Sequence, residues 1–205
     1  VIVADELGLD LGSVRVISGD TDLAPVDLGA YSSRGTFMNG NACLMAAREV
    51  KDKLVRAVAE KLGVEPRDVL VTRGALVSIS DPSKGVPVTE AIQLAEGKFG
   101  TIGAVGHYNT PKLGGDYRGG TIGASPAYSF TAHVVEVRVD ERTGIVTAEK
   151  IWVAHDCGKA LCPTVVEGQL EGSAYMGAAE ALLEAHVIGS DGLHKGPNLL
   201  DYRIP

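Results

Sequence analysis

The sequence predicts an α+β fold made of a mixed sheet, a long β-hairpin and packed helices. Three observations carry that expectation. From about residue 39 to residue 62 the apolar positions Cys43, Ala47, Val50, Leu54, Ala57, Val58 and Leu62 recur at three- and four-residue steps, the spacing of one face of an α-helix. Val135, Val137 and Val139 alternate with Glu136 and Arg138 at the two-residue period of a strand. Asp140-Glu-Arg-Thr-Gly144 then turns the chain back into a second run over residues 145–153. Pro163-Thr164 opens a second helix that runs to about Leu183, with a face of small residues at Ala174, Gly177, Ala178 and Ala181.

The remaining elements follow in chain order. Residues 1–8 look like the last turns of a helix ending at Gly8, with no start signal ahead of them, so the chain is expected to begin within a larger polypeptide. Residues 14–18, weakly alternating and β-branched, predict a strand that delivers the chain to Gly19. Asp20, Asp22 and Asp27 lack the glycine and terminal glutamate of a calcium loop and are expected to cap turns. Gly63 stops the long helix, and Pro66 discourages its resumption. Residues 69–71 and 75–79 suit a strand pair turning at Arg73-Gly74, followed by a turn cluster over residues 81–85. Thr89 is the expected cap of a short helix reaching about Glu96. Residues 186–194 predict a last short hairpin turning at Gly189-Ser-Asp-Gly192.

Composition narrows the function. The 205 residues are 45% hydrophobic, enough for a sizeable core, and 26 acidic against 19 basic residues leave a net charge of −7. Without a basic run, binding to nucleic acid or to an anionic membrane by bulk electrostatics is disfavoured. Cys43, Cys157 and Cys162 are three cysteines without zinc or iron–sulfur spacing, which favours a reducing cytoplasm over a disulfide framework. No apolar stretch reaches the roughly 18–20 residues of a transmembrane helix.

Chemistry concentrates in residues 19–40. A Ser32-Ser33-Arg34-Gly35-Thr36 segment just before a helix offers hydroxyls, amides and a guanidinium to an anion such as phosphate, because helix starts gather unpaired N–H groups and partial positive charge. Residues 100–125 hold eight glycines around His107, Tyr108, Asn109, Tyr117 and Arg118. They read either as a loop or as the lining of a ligand site. His155-Asp-Cys157 invites a catalytic Cys-His or metal reading, but adjacent strand residues point to opposite faces, so a structural role is favoured. Gln169, flanked by Gly168 and Gly172, is either a surface glutamine or an amide placed to pair with a planar heterocycle.

Several motifs then fall in a familiar order: Gly19-Asp-Thr-Asp22, Pro25-Val-Asp-Leu-Gly29, Tyr31-Ser-Ser-Arg34, Asp156-Cys-Gly158, Val166-Glu-Gly-Gln169 with Glu171-Gly172, and Asp201-Tyr-Arg-Ile-Pro205. The chain resembles the molybdenum-binding large subunit of the xanthine oxidase family over essentially its whole length. Within that family it looks most like the α subunit of 4-hydroxybenzoyl-CoA reductase, through Tyr31-Ser-Ser-Arg34, the run from Tyr117 to Phe130, and Gly172-Ser-Ala-Tyr-Met-Gly177.

The resemblance implies that residues 1–205 are a fragment of the second molybdopterin-binding domain. The expected cofactor is molybdopterin with molybdenum, in the cytosine dinucleotide form. It implies contacts from Ser32, Ser33, Arg34, Gly35 and Thr36 to phosphate or pterin and a hydrogen bond from Gln169 to the pterin. Cys162 stands before Pro163 where the family commonly has asparagine, which removes an amide able to pair with the cofactor. Molybdenum would be held by the pterin's sulfurs, so no protein metal ligand is expected. The family's active-site glutamate, in Gly-x-Gly-Glu, would lie beyond Pro205, and no catalytic residue is expected in this chain. Implied partners are the rest of the large subunit, an iron–sulfur subunit, a flavin subunit carrying FAD, and an aromatic CoA thioester as substrate. Other members of the family, acting on purines, aldehydes or N-heterocycles, remain the alternative, beside a cofactor-binding module without activity of its own.

Overall fold

Val58 and Leu76 are fully removed from solvent, and the first of two compact units, residues 1–127, is built around them. The computed structural model describes residues 1–27, 29–31, 33–110, 127–200 and 202–204. Helix α2 (Gly40–Leu62) is the central element of this unit, and Leu54, Ala57 and Val58 on its buried stripe are the positions that the three- and four-residue spacing selects. Gly63 ends it in the left-handed conformation, φ 67°, where glycine has no Cβ to clash.

Against that stripe lies a three-stranded antiparallel sheet of β1 (Val69–Thr72), β2 (Ala75–Ser78) and β3 (Gly85–Pro87), in that order. The expected turn at Arg73-Gly74 joins β1 to β2, and β3 grows out of the region expected only to turn. Leu76 and Val86 meet α2 and Ala91 and Ala95 of α3 (Val88–Phe99) in one apolar cluster. Helix α1 (Ile2–Leu7) ends at Gly8, φ 64°, whose carbonyl accepts the Gly74 N–H at 2.7 Å. A Cβ on Gly8 would stand 2.2 Å from the Thr72 carbonyl oxygen, so glycine is needed there for space as well as for conformation.

Three expectations need correction. Residues 14–18 form no strand: after a 3-10 turn at Leu11–Ser13 they run irregularly with Val16 and Ile17 exposed, and no strand among the described residues pairs with them. Thr89 is not a helix cap, because Pro87 occupies that position and Thr89 lies inside the first turn of α3. The last hairpin reduces to a single bridge between Ile188 and His194.

The second unit, residues 128–205, contains the long hairpin. β4 (Phe130–Val139) pairs antiparallel with β5 (Val146–Asp156), and the ribbon extends further from the turn than the sequence suggested, back to Phe130 and on to Asp156. Register shifts between Glu136 and Val137: Glu136 faces Lys150 while Val137 faces Ala148, which leaves Glu149 as the extra residue of a bulge. Arg138 Nε donates to Glu149 Oε1 at 2.6 Å. The turn is set by Asp140, whose carboxylate accepts the N–H groups of Arg142 and Thr143 at 2.9 and 3.3 Å, and by Gly144 at φ 75°. Helix α4 (Pro163–Leu182) packs on β5, where Ile151, Val153 and His155 are half-buried while Trp152 and Ala154 are exposed. Among the described residues, buried apolar side chains gather in the first unit, and Ala179 is the second unit's contribution. No helix among the described residues is long and apolar enough to cross a membrane.

Candidate functional site

The turn before α2 is shaped by residues that hydrogen-bond their own neighbours. Asp27 Oδ1 accepts the Gly29 N–H at 2.7 Å and Oδ2 accepts Asn39 Nδ2 at 2.8 Å, while Asp20 accepts the Asp22 N–H at 2.9 Å. The expected turn-capping role therefore holds for Asp20 and Asp27. The Gly29 N–H, Asn39 and the positive charge of Arg34 together hold the Asp27 carboxyl below the usual aspartate range.

Ser33 sits at φ 54°, in the left-handed region that a serine seldom enters, and this bend aims the following residues into the helix. Such strain in a non-glycine residue is frequent where a ligand is held. Arg34 N–H donates to the Tyr31 carbonyl at 3.2 Å, the Arg34 carbonyl accepts the Met38 N–H at 2.7 Å, and a wide π-type turn over Gly35–Asn39 feeds α2. The Arg34 guanidinium lies 5.2 Å from the Tyr31 ring centre and makes one long hydrogen bond, 3.4 Å, to the Gly29 carbonyl. Among the described residues its donors are thus oriented but not saturated. Ser32 lies outside the described residues.

The start of the glycine-rich stretch packs beside this turn. Tyr108 meets Phe37 edge to face with ring centres 5.5 Å apart, and a Cβ on Gly106 would stand 1.8 Å from the Ala42 carbonyl oxygen. Gly106 thus lets backbone lie directly on the first turn of α2. Residues 111–126, which carry the remainder of that stretch including Tyr117 and Arg118, lie outside the described residues. Phe37 was not singled out from sequence, whereas Gly106 and Tyr108 fall in the glycine-rich stretch read there as either a loop or the lining of a ligand site. What the sequence left open was the close approach at Gly106, which a side chain there would block.

Cys162 and Gln169 belong to the second unit and share helix α4. Cys162 occupies the position before the first helical residue, and its carbonyl accepts the Val165 and Val166 N–H groups, both at 3.1 Å. Its thiol is free and exposed. Gln169 is exposed two turns further on, and Cβ atoms placed on the neighbouring Gly168 and Gly172 would meet nothing within 4 Å. His155 Nδ1 and Thr131 Oγ1 are 2.6 Å apart across the hairpin, and Asp156 accepts the Gly158 N–H at 2.8 Å, so both have local partners. The described residues hold no group of three or more His, Cys, Asp or Glu side chains able to bind a metal ion.

Helices and sheets together make an α+β chain whose first unit carries, before α2, a guanidinium and backbone amides of the kind that suit an anion. The chain belongs to the molybdopterin cofactor-binding domain family, which it matches over residues 1–205. Across 210 aligned residues it is 32% identical to the xanthine dehydrogenase molybdenum-binding subunit of Escherichia coli O157:H7, covering 100% of this chain and 26% of that protein. It is 28% identical over 209 residues to the carbon monoxide dehydrogenase large chain of Hydrogenophaga pseudoflava, covering 100% of this chain and 24% of that protein. Among solved structures, the Cu,Mo-CO dehydrogenase in its carbon monoxide reduced state matches with a TM-score of 0.84 at 26% identity, over 100% of this chain and 25% of that one. The chain spans about a quarter of the length of these relatives. The expected α+β fold and the expected family of cofactor are therefore both met.

Proposed function

We propose that the chain is the part of a molybdenum oxidoreductase large subunit that grips the phosphate and pterin end of molybdopterin. The observation that carries this reading is the strained Ser33 bend presenting Arg34 and the Gly35 and Thr36 amides at a helix start, in a chain of the molybdopterin-binding family. Ser32 joins that set by its place in the Tyr31-Ser-Ser-Arg34 motif, and the family resemblance assigns Gln169 and Cys162, on the second unit's helix, their own contacts to the cofactor. The cofactor, in the cytosine dinucleotide form, would supply the redox chemistry, and the role of these residues is to bind and orient it.

For the reaction, we infer reductive dehydroxylation of 4-hydroxybenzoyl-CoA, in which two electrons and two protons remove the phenolic hydroxyl as water and leave benzoyl-CoA. Electrons would arrive through iron–sulfur and flavin subunits carrying their clusters and FAD, in the cytoplasm. This finer reading is supported by resemblance at Tyr31-Ser-Ser-Arg34, at residues 117–130 and at Gly172-Ser-Ala-Tyr-Met-Gly177. A second reading, oxidation of a purine, of carbon monoxide or of an N-heterocycle, is favoured by the names of the relatives, which include a xanthine dehydrogenase, a carbon monoxide dehydrogenase and a nicotine 6-hydroxylase.

One experiment on the full-length subunit complex tests both levels. Ser33→Ala combined with Arg34→Ala is expected to lower molybdenum content severalfold while the circular-dichroism spectrum stays that of the parent; unchanged content removes the cofactor-gripping role. Turnover of the parent complex with 4-hydroxybenzoyl-CoA and a low-potential donor supports the substrate assignment, and turnover of xanthine, carbon monoxide or nicotine in its place replaces it.

A further inference from the structure

Gly29 is held from both sides. Its N–H donates to Asp27 Oδ1 at 2.7 Å, and its carbonyl accepts from Arg34 Nη1 at 3.4 Å. The second oxygen of the same carboxylate accepts Asn39 Nδ2 at 2.8 Å, across twelve residues of chain, and so fastens the entry of the turn to its exit into the helix. The two backbone positions that need unusual conformations, Gly29 at φ 97° and Ser33 at φ 54°, lie inside the loop that this carboxylate closes.

A carboxylate beside a site for a polyanion is unfavourable if its charge faces the ligand. Here both oxygens already accept hydrogen bonds from the protein, and the nearest cation is Arg34 itself. The two carboxylate acceptors are therefore used to order the turn, and the guanidinium is kept over Tyr31.

Resting on the cofactor reading above, we propose that Asp27 is a positioning residue: with Asn39 as its partner it closes residues 27–39 into a preformed anion-binding turn, so that the bend at Ser33 and the direction of Arg34 exist before the cofactor arrives. Preorganisation of this kind raises affinity by removing the ordering cost from the binding step. The lowered pKa of Asp27 agrees, since a carboxylate bonded to two N–H donors holds its charge more readily.

The bonding pattern makes a sharp distinction between variants. Asp27→Ala removes both acceptors. Asp27→Asn keeps Oδ1 for the Gly29 N–H and turns its other end into a donor, which the Asn39 amide meets by rotating its own oxygen into place. The hydrogen bonds survive and the charge does not.

The test uses the full-length subunit complex, with molybdenum content per subunit and hydrogen exchange of residues 29–39 in the cofactor-free protein as its readouts. Asp27→Ala is expected to speed exchange in that segment and to lower molybdenum content roughly five- to tenfold, the effect of about one hydrogen bond on an equilibrium constant. Asp27→Asn is expected to recover most of both. Unchanged exchange in Asp27→Ala overturns the brace, as does an Asp27→Asn that fails as badly as alanine, since charge rather than hydrogen bonding would then be at work. If exchange rises but neither Asp27→Ala nor Arg34→Ala alters molybdenum content, the turn is not the cofactor's anchor. The assignment of the site then falls with the brace's role in it.

Discussion

Asp27 and Ser33 show how much a single residue's environment adds to its identity. A free aspartate reports only a turn preference, whereas here its carboxyl is held below the usual range by the Gly29 N–H, by Asn39 and by Arg34. A carboxyl whose folded value is depressed stabilises the fold at pH values above its unfolded value, near 3.8, and that contribution fades as pH falls through the lower folded value. Asp27→Ala is therefore expected to flatten the acid limb of the stability curve below about pH 4, and to leave the pH dependence between 5 and 8 unchanged, as measured by urea unfolding across the pH range. The Asx turn at Asp27 was legible in the sequence because aspartate two residues before glycine favours it. The bend at Ser33 was not, because nothing in a serine announces φ 54°; only the closed loop around it enforces that angle.

Elements with a long, regular apolar pattern were legible, and those needing a partner were not. Helix α2 followed from its spacing and from Gly63, since helix hydrogen bonds close within the segment itself. Residues 14–18 carry β-branched side chains but depend on a neighbouring strand for every ladder bond, and β-propensity alone supplies none. Thr89 misled because its side chain suits a cap, yet Pro87, locked near the required φ, takes that position at −56°. The hairpin β4–β5 was legible in its alternation, while the bulge at Glu149 was hidden, since one extra residue leaves both flanking runs intact. Its turn relies on Gly144 at φ 75°, a conformation that an L side chain adopts at a cost of about 1–2 kcal/mol. Gly144→Ala is accordingly expected to destabilise the second unit by about that amount in denaturant titration and to leave the first unit's transition in place.

At the scale of the whole chain the two units are unequal. The first buries Leu54, Val58, Leu76, Val86 and Ala91 in one cluster, whereas Phe130, Val134 and Trp152 of the hairpin are 73%, 62% and 44% exposed. Amides of α2 and β2 are therefore expected to exchange hydrogen most slowly, and those along the outer edges of β4 and β5 orders of magnitude faster, in a mass-spectrometric time course on the 205-residue chain. The sequence could not announce this imbalance, because a valine that packs on a neighbouring domain and one that packs on its own look alike in composition and period. Family membership was legible from motif order; substrate was not, because this quarter of the relatives' length matches a cofactor-binding domain.

Among the described residues the ribbon formed by β4 and β5 has two strands, so each contributes one row of peptide groups that no other described strand pairs with. Rows of that kind zip onto any extended segment they meet, and an apolar side such as that of Val134 and Trp152 makes the attachment durable. Kept at high concentration by itself, the polypeptide is thus prone to stacking edge upon edge into insoluble assemblies, and low concentration or a charged residue at Val134 is the remedy for anyone handling it.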